Sequence, residues 1–164
     1  MRELLDLSGI GQDRVHLRWV SSSEGQRFAD YMKELTGIVE KLGPLEVEEL
    51  HLPLAAAHRT LNSLSLRWLL GMESQLTEKE NVFHEKLDAA VYHDLLRRAA
   101  LEEYQKALIF ESLKEEAKTV REISAETGLP IYTVSLRLND LERTGLAAFQ
   151  GQEGTSPKFG ITAG

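Results

Sequence analysis

One stretch near the N-terminus, Arg14–Leu45, constrains the fold more than any other part of the sequence. Its beginning, Arg14–Val20, places apolar side chains at every second position, which is typical of a half-buried β-strand. After a Ser-rich corner, apolar residues recur at helical spacing until Gly43-Pro44, which predicts one long amphipathic helix. A strand that leads into a helix is half of an α/β unit and needs a sheet, yet no second strand is evident nearby. If that strand finds no sheet in this chain, we expect it to pair with another chain or with a second copy, giving a homo-oligomer.

The predicted long helix begins at the Ser-rich corner, where Ser21 is expected to be the N-cap and Glu24 to close a capping box. It is expected to run to about Leu42, before the Gly-Pro stop. Its apolar stripe consists of Phe28, Tyr31, Met32, Leu35, Ile38, Val39 and Leu42. Upstream, Arg2–Leu7 predicts a short helix, and Gly9–Asp13 predicts a turn because two closely spaced glycines permit positive φ.

Composition excludes several classes of function. The sequence has no cysteine, so disulfides, thiolate catalysis and Cys-ligated zinc or iron–sulfur sites are excluded within it. No apolar run approaches the roughly 18 residues of a membrane span, and Met1-Arg2-Glu3 does not begin a signal peptide, so we expect a soluble, cytoplasmic protein without a membrane partner. The formal net charge of −7 repels nucleic acid at long range, so DNA binding would need a locally basic face.

The first quarter of the chain carries a dense, ungapped motif. A strand of the form R-x-x-L-x-W-[VI] is followed by S-[AS]-x-E-G-x-[KR]-F and by a helix that ends in L-G-P-L. The residues that match are Arg14, Leu17, Trp19, Val20, Ser21, Ser23, Glu24, Gly25, Arg27, Phe28 and Leu42-Gly43-Pro44-Leu45. In these residues the chain resembles the C-terminal end of the methyl-viologen-reducing hydrogenase delta subunit family.

The resemblance implies a role in electron transfer. Members of that family are implied to pass electrons between a hydrogenase or formate dehydrogenase and a heterodisulfide-reductase-type flavoprotein, with an iron–sulfur cluster on cysteines upstream of the matched segment. No such ligand can be carried over here, so we expect no cofactor in this chain. Either the chain is a truncated piece of a longer protein, or it is a cluster-free relative that pairs with the missing half in trans. Its implied partners are hydrogenase or heterodisulfide reductase subunits, in an oxidoreductase complex.

The middle of the chain, residues 46–106, is predicted to be a helical connector. One helix is expected over Leu54–Leu70, and another segment, Lys86–Lys118, is expected to be helical with a break near Ala99-Ala100. The first of these helices would place Leu54, Ala57, Leu61, Leu64 and Trp68 on one face. The histidines are scattered at spacings that do not suit a shared metal ion, so no metal site is predicted.

Residues 107–164 predict a winged helix-turn-helix domain. A helix over Ala107–Lys118 precedes a second one that begins in a capping box of Thr119 and Glu122. Gly128 is expected to turn the chain in the left-handed conformation, and Pro130 to open a third helix that ends at Arg143. A hairpin follows, with strands expected over residues 146–150 and 158–162 and a turn-rich tip between them.

The third of these helices supplies the candidate contact residues. Its side chains expected to point away from the core, together with a wing cation, are Tyr132, Thr133, Ser135, Leu136, Arg137, Asn139 and Lys158. These residue types suit phosphates and base edges, but also a protein surface. Residues 111–164 hold six Lys/Arg against eight Asp/Glu, which disfavours DNA because affinity depends on neutralising phosphates.

The sequence therefore predicts a mainly α protein with minor β: an α/β remnant over residues 1–45, the helical connector and the C-terminal winged helix. No nucleophile–base pair, phosphate-binding loop or metal cluster is recognisable, so no catalytic residue is predicted and enzyme activity stays undecided. The leading hypothesis is an accessory or truncated iron–sulfur-type subunit that lacks cluster ligands and acts by protein docking. The alternative is a DNA-binding transcriptional regulator.

Overall fold

A computed structural model describes residues 2–162 of the protein. The outermost residues of the predicted domains, Met1, Ala163 and Gly164, lie outside that description. The chain divides into two compact units, Met1–Leu50 and His51–Gly164. The fold is mainly helical with a three-stranded antiparallel sheet, which confirms the predicted fold class.

The first unit consists of two helices joined by an extended segment. Helix α1, Arg2–Leu7, forms as predicted and is followed by a short 3-10 turn at Gln12–Arg14. Helix α2, Gly25–Leu42, is the predicted long amphipathic helix. Among the described residues of this unit, burial is confined to Leu4, Ser8 and Ile10, beside α1, and none lies on α2. The unit therefore has almost no core of its own.

The predicted strand at Arg14–Val20 does not form. Residues 15–20 form no helix, turn or bend, and Val15 has extended backbone angles (φ −125°, ψ 120°), but they belong to no sheet in the part of the chain that the structure describes. A strand is defined by its hydrogen-bonded neighbour, and residues 2–162 supply none for this segment. The sequence thus specified the backbone conformation but not the partner that would complete it.

The ends of α2 differ in how well they were predicted. Gly43 is the C-cap with φ 66°, so the predicted stop is confirmed. The N-cap is Glu24 rather than Ser21, and the helix begins at Gly25. Glu24 Oε2 still accepts the Ser21 N–H at 2.9 Å, so only the returning half of the predicted capping box exists. The predicted N-cap was wrong because the chain enters the helix three residues later than the motif implied.

The second unit begins with three helices. The predicted helix over Leu54–Leu70 is two helices, α3 at His51–Leu61 and α4 at Leu64–Thr77, because Ser63 caps a new helix by accepting the Leu66 N–H. Of its predicted face, Ala57 is buried but Leu61, Leu64 and Trp68 are exposed.

Helix α5, Ala89–Ser112, is continuous, so the predicted break near Ala99-Ala100 is wrong. Alanine is the strongest helix former, and an Ala pair gives no reason for a break. The helix also ends earlier than the predicted Lys118, with Leu113 as its C-cap, and Lys118-Thr119 forms the short strand β1.

The remaining elements follow the predicted order. Helix α6, Val120–Thr127, begins in a complete capping box of Thr119 and Glu122 and ends at Gly128 with φ 70°. Helix α7, Ile131–Arg143, has Pro130 as its N-cap. Strands β2, Ala147–Glu153, and β3, Ser156–Ile161, form an antiparallel hairpin, and the sheet order is β1-β3-β2. The hairpin strands run further toward the tip than predicted.

The core of the second unit lies between the end of α5 and the elements after it. Its members are fully or almost fully buried. They are Ile109, Leu113, Ile123, Val134, Leu138, Leu141 and Ala147, with Val120, Leu129, Phe159 and Ile161 packed at its margin. This core fixes α7 against α5 and determines which side of α7 faces outward.

Candidate functional site

The extended segment of the first unit turns its apolar side chains outward. His16, Arg18 and Val20 line a groove against α2, whereas Leu17 and Trp19 point the other way and are 70% and 83% exposed. The two-residue alternation predicted from the sequence is therefore present, with the apolar side directed to solvent. We call the main chain of His16–Val20 together with the side chains of Leu17 and Trp19 the outer edge.

The main chain of the outer edge has no hydrogen-bond partner in the described part of the chain. Among residues 2–162, the N–H and C=O groups of His16–Val20 make no hydrogen bond. The bonds nearest to them involve Val15, whose C=O accepts the Arg2 Nε–H at 3.3 Å, and Ser21, whose N–H is donated to Glu24. These groups form a ready template for a further strand.

Two arginines hold the segment beside α2. The Arg14 guanidinium donates to the C=O groups of Gly43 and Leu42 at 3.1 and 3.2 Å, satisfying carbonyls that the helix end leaves without partners. Arg18 forms an ion pair with Glu34 at 3.2 Å and lies 5.6 Å from the ring centre of Tyr31. Sequence reasoning missed both roles, because each joins residues far apart in the chain.

The apolar stripe of α2 is only partly covered. A groove of about 140 Å³ separates the extended segment from α2 and is lined on the helix side by Phe28, Tyr31, Met32, Glu34, Leu35 and Ile38. Phe28 and Val39 are each 57% exposed. An 18-residue amphipathic helix whose described residues are all outside a core presents an unusually incomplete apolar face.

At the N-terminus of α2, Glu24 joins the Ser-rich corner to the helix. The Ser21 N–H, and after it the Arg27 guanidinium at 2.9 Å, lower the pKa of the Glu24 carboxyl. The Glu24 carboxylate thus stabilises the Ser-rich corner through Ser21 and Arg27. It opposes the binding of an anion at this helix end.

The second candidate surface is the outward side of α7. Tyr132, Ser135, Leu136 and Asn139 are exposed there as expected, while Thr133 is half-buried. Ile131 is exposed beside them, so three of the five exposed residues are apolar or aromatic and two are polar. We call Ile131, Tyr132, Ser135, Leu136 and Asn139 the α7 face.

Arg137 does not belong to the α7 face. Its side chain is only 13% exposed and forms ion pairs with Asp140 at 2.9 Å and with Glu102 of α5 at 3.3 Å. It also donates to Gln105 at 3.1 Å. The position of Arg137 one turn from Val134 and Leu141 turns its side chain toward α5, where it bridges two helices.

The wing cation is also neutralised. Lys158 lies 2.6 Å from Glu153 across the hairpin, and that carboxylate raises the pKa of Lys158. Lys118, in β1, is paired with Glu126 at 2.7 Å. Of the described Lys and Arg side chains in residues 118–162, those without an ion pair are Arg121 and Arg143. Such a surface offers few free cations to a phosphate backbone.

The residues do not fit an iron–sulfur cluster. The sequence contains no cysteine, and residues 2–162 bring together no group of three or more His, Asp or Glu side chains that could hold a metal ion. Within the described part of the chain, no helix is both long and apolar enough to cross a membrane.

Comparison with known proteins shows that the first unit is similar to subunits of hydrogenases. The family model for the methyl-viologen-reducing hydrogenase delta subunit matches residues 1–43. The F420-non-reducing hydrogenase iron-sulfur subunit of Archaeoglobus profundus is 44% identical over 48 residues, which are 29% of this chain and 35% of that protein. The F420-non-reducing hydrogenase vhu iron-sulfur subunit of Methanocaldococcus jannaschii is 44% identical over 43 residues, 26% of this chain and 32% of that protein.

The similarity has clear limits. This chain spans about a third of the length of the curated relatives that it matches. No solved structure matches it significantly. The first unit, with its extended segment and α2, is therefore similar to the hydrogenase delta subunit family, as the sequence motif predicted.

Proposed function

We propose that this protein is an accessory subunit of a hydrogenase- or heterodisulfide-reductase-type electron-transfer complex that acts by protein docking. It supplies no cluster ligands itself. The matched relatives are named as iron–sulfur subunits of hydrogenases, and the family match lies within the first unit. The first unit is accordingly the part that would join the complex, in the cytoplasm.

The observation that carries this proposal is the incomplete burial of α2. Apolar side chains buried at an interface each contribute up to about 1.5–3 kcal/mol relative to exposure. The stripe of α2 and the outer edge leave that contribution unused, since Trp19, Phe28 and Val39 are all more than half exposed. A surface of this kind, in the segment similar to hydrogenase subunits, favours a partner protein over an isolated function.

A co-purification experiment tests the proposal. The tagged full-length chain is expressed in its own host cells and purified without oxygen. We expect hydrogenase or heterodisulfide reductase subunits to co-purify in a fixed ratio, together with hydrogen-dependent reduction of a viologen dye. Purification of the chain alone, at a salt concentration that preserves known complexes of this kind, would contradict the proposal.

A matched pair of variants sharpens the test. Met32→Gln removes an apolar side chain from the partly covered stripe of α2, whereas Lys33→Gln changes the neighbouring polar residue. We expect Met32→Gln to reduce co-purification and Lys33→Gln to leave it unchanged. Equal retention by both variants would show that the stripe takes no part.

The alternative function is a winged-helix transcriptional regulator. In its favour is the order of the elements in the second unit, with α6 and α7 followed by the β2–β3 hairpin. Against it is the engagement of Arg137 and Lys158 in ion pairs, which leaves neither cation free on α7 or on the hairpin to contact a phosphate. We therefore prefer a protein partner for the α7 face as well.

A salt-dependent gel shift with DNA from upstream of the chain's own operon decides between the two. The regulator predicts a shift at low salt that weakens when Arg121 or Arg143 is replaced by Gln, because each phosphate contact contributes to the salt dependence. A docking protein predicts no shift at any salt concentration.

A further inference from the structure

The outer edge combines two properties that rarely remain exposed together. Its five residues form no helix, turn or bend, their main-chain groups make no hydrogen bond within residues 2–162, and its outward side chains include a Trp that is 83% exposed. Natural proteins usually cover or interrupt such edges because they pair readily with other strands. Here Arg14 and Arg18 hold the segment in place from the α2 side, so the edge is presented in a fixed position.

The direction of the side chains indicates what would cover it. In a sheet, one face of this strand would be covered by α2 through His16, Arg18 and Val20. The other face, with Leu17 and Trp19, needs a second apolar layer. A partner must therefore supply both an edge strand and an apolar surface behind that strand, which a whole domain can do and a short peptide cannot.

The lengths of the relatives indicate a partner. The 48 matched residues are 35% of the Archaeoglobus profundus protein, so about two thirds of that protein lies outside the match. In that protein the remainder is attached to a segment 44% identical to the matched part of this chain. The remainder has the size needed to supply a sheet and its apolar layer.

We propose that the outer edge adds as an edge strand to the sheet of an iron–sulfur protein of the kind found in these relatives, with Leu17 and Trp19 buried against that partner. This inference rests on the proposed function and specifies its mode of docking. Main-chain hydrogen bonds from His16–Val20 supply affinity, and the Trp19 ring supplies the anchor that fixes the register. The cluster ligands then come from the partner, while this chain completes the fold around them.

The test uses the full-length chain and a defined probe. The probe is the Archaeoglobus profundus iron–sulfur protein lacking its 48 matched residues, co-expressed with this chain without oxygen. We expect the two to co-purify, and amide hydrogen exchange to slow at every second residue of 16–20. Alternate protection identifies strand pairing on one edge, since only every second N–H points to the partner. Binding without alternate protection would overturn the strand mechanism.

Three variants separate the outer edge from general stickiness. Trp19→Ser and Leu17→Ser should each weaken binding to the probe at least tenfold, as is usual for buried anchors. Val47→Ser is the matched control, because Val47 is an exposed apolar residue of the same unit at 56% exposure but lies outside the edge. Equal weakening by all three variants would overturn the proposal.

A fusion protects the test against a probe that does not fold alone. In it, the probe precedes residue 1 of the full-length chain through a flexible linker. We expect the visible absorbance of an iron–sulfur cluster and a thermal midpoint that Trp19→Ser lowers and Val47→Ser does not. A fusion without cluster absorbance or cooperative unfolding, together with no binding in trans, would overturn the proposal.

The outcomes distinguish this inference from the proposed function. The chain could co-purify with a hydrogenase although Trp19→Ser does not weaken binding and residues 16–20 show no alternate protection. In that case the proposed function stands and the strand mechanism fails. If the probe binds through the edge but no hydrogenase co-purifies, the strand mechanism stands and the function fails.

Discussion

Helices α2 and α7 of this protein are both amphipathic, with similar sequence patterns and different surroundings. Helix α7 buries Val134, Leu138 and Leu141 in the core of the second unit. Helix α2 is longer, yet none of its described residues is buried. Periodicity therefore specifies which side of a helix is apolar, but it does not specify whether the same chain covers that side. The uncovered helix lies in the segment similar to hydrogenase subunits, which is why we assign docking to it.

The N-termini of α2 and α6 also share a sequence motif but differ in structure. Thr119 and Glu122 form a full capping box, whereas Ser21 and Glu24, at the same spacing, form only half of one. The backbone before α6 is held in the sheet by β1, so Thr119 is positioned to cap. The Ser-rich corner before α2 has no such support. The same motif thus closes where the tertiary structure fixes the chain.

The largest difference is expected for core truncation. Leu138→Ala should lower the free energy of unfolding of the second unit by about 2–5 kcal/mol, because it removes a buried side chain and leaves a cavity. Met32→Ala, on the exposed stripe of α2, should change the stability of either unit by no more than about 0.5 kcal/mol. Urea unfolding followed by amide exchange in each unit measures both. Comparable losses would mean that α2 is covered in solution.

The helix caps come next. Thr119→Ala should cost the second unit about 1 kcal/mol, since its hydroxyl caps the Glu122 N–H of α6. Ser21→Ala should cost the first unit only a few tenths, because Glu24 occupies the N-cap position. Thermal unfolding with residue-specific exchange distinguishes them. A Ser21 effect as large as that of Thr119 would show that Ser21 caps α2 in solution.

A smaller effect is expected at the other end of α2. Arg14→Met keeps an unbranched, largely apolar side chain but removes two hydrogen bonds to the helix C-terminus, which should cost about 0.5–1 kcal/mol of local stability. Lys41→Met, in the last turn of the same helix, is the control for a lost cation near the helix dipole. Amide exchange near the end of α2 should accelerate more for Arg14→Met. Equal acceleration by the two variants would mean that Arg14 stabilises the helix end only as a cation near the helix dipole, not through its two hydrogen bonds.

The smallest effect is on acid stability. The Thr119 N–H lowers the pKa of the Glu122 carboxyl from its ordinary 4.5. The ionised Glu122 carboxylate therefore stabilises the folded state above pH 4.5. This contribution is lost as the pH falls through the lowered pKa that Glu122 has in the folded protein. Glu122→Gln keeps an acceptor for the capping box, so stability at neutral pH should change little while this part of the acid dependence disappears. Thermal midpoints through the acid range measure it, and an unchanged slope would contradict the assignment.

The candidate surfaces were predictable in different degrees. Helical periodicity predicts which side of α7 faces the core, and the residues on the other side are therefore exposed. They are Tyr132, Ser135, Leu136 and Asn139. Arg137 was predicted to be outward as well, but a long side chain can reach sideways, and the carboxylates of Glu102 and Asp140 attract it. The position of a flexible cationic side chain depends on nearby carboxylates, which helical periodicity does not predict.

By itself, the sequence determined helices α1, α2, α6 and α7, the glycine turns and the capping box before α6, because these depend on residues within one or two turns of each other. It also determined the extended form of residues 15–20 and their two-sided alternation. Only the tertiary structure decided that no strand pairs with them among the described residues, that Leu17 and Trp19 face solvent, and that Arg14 and Arg18 hold them beside α2. Those outcomes depend on contacts between distant residues and on a pairing partner, neither of which is encoded in local spacing.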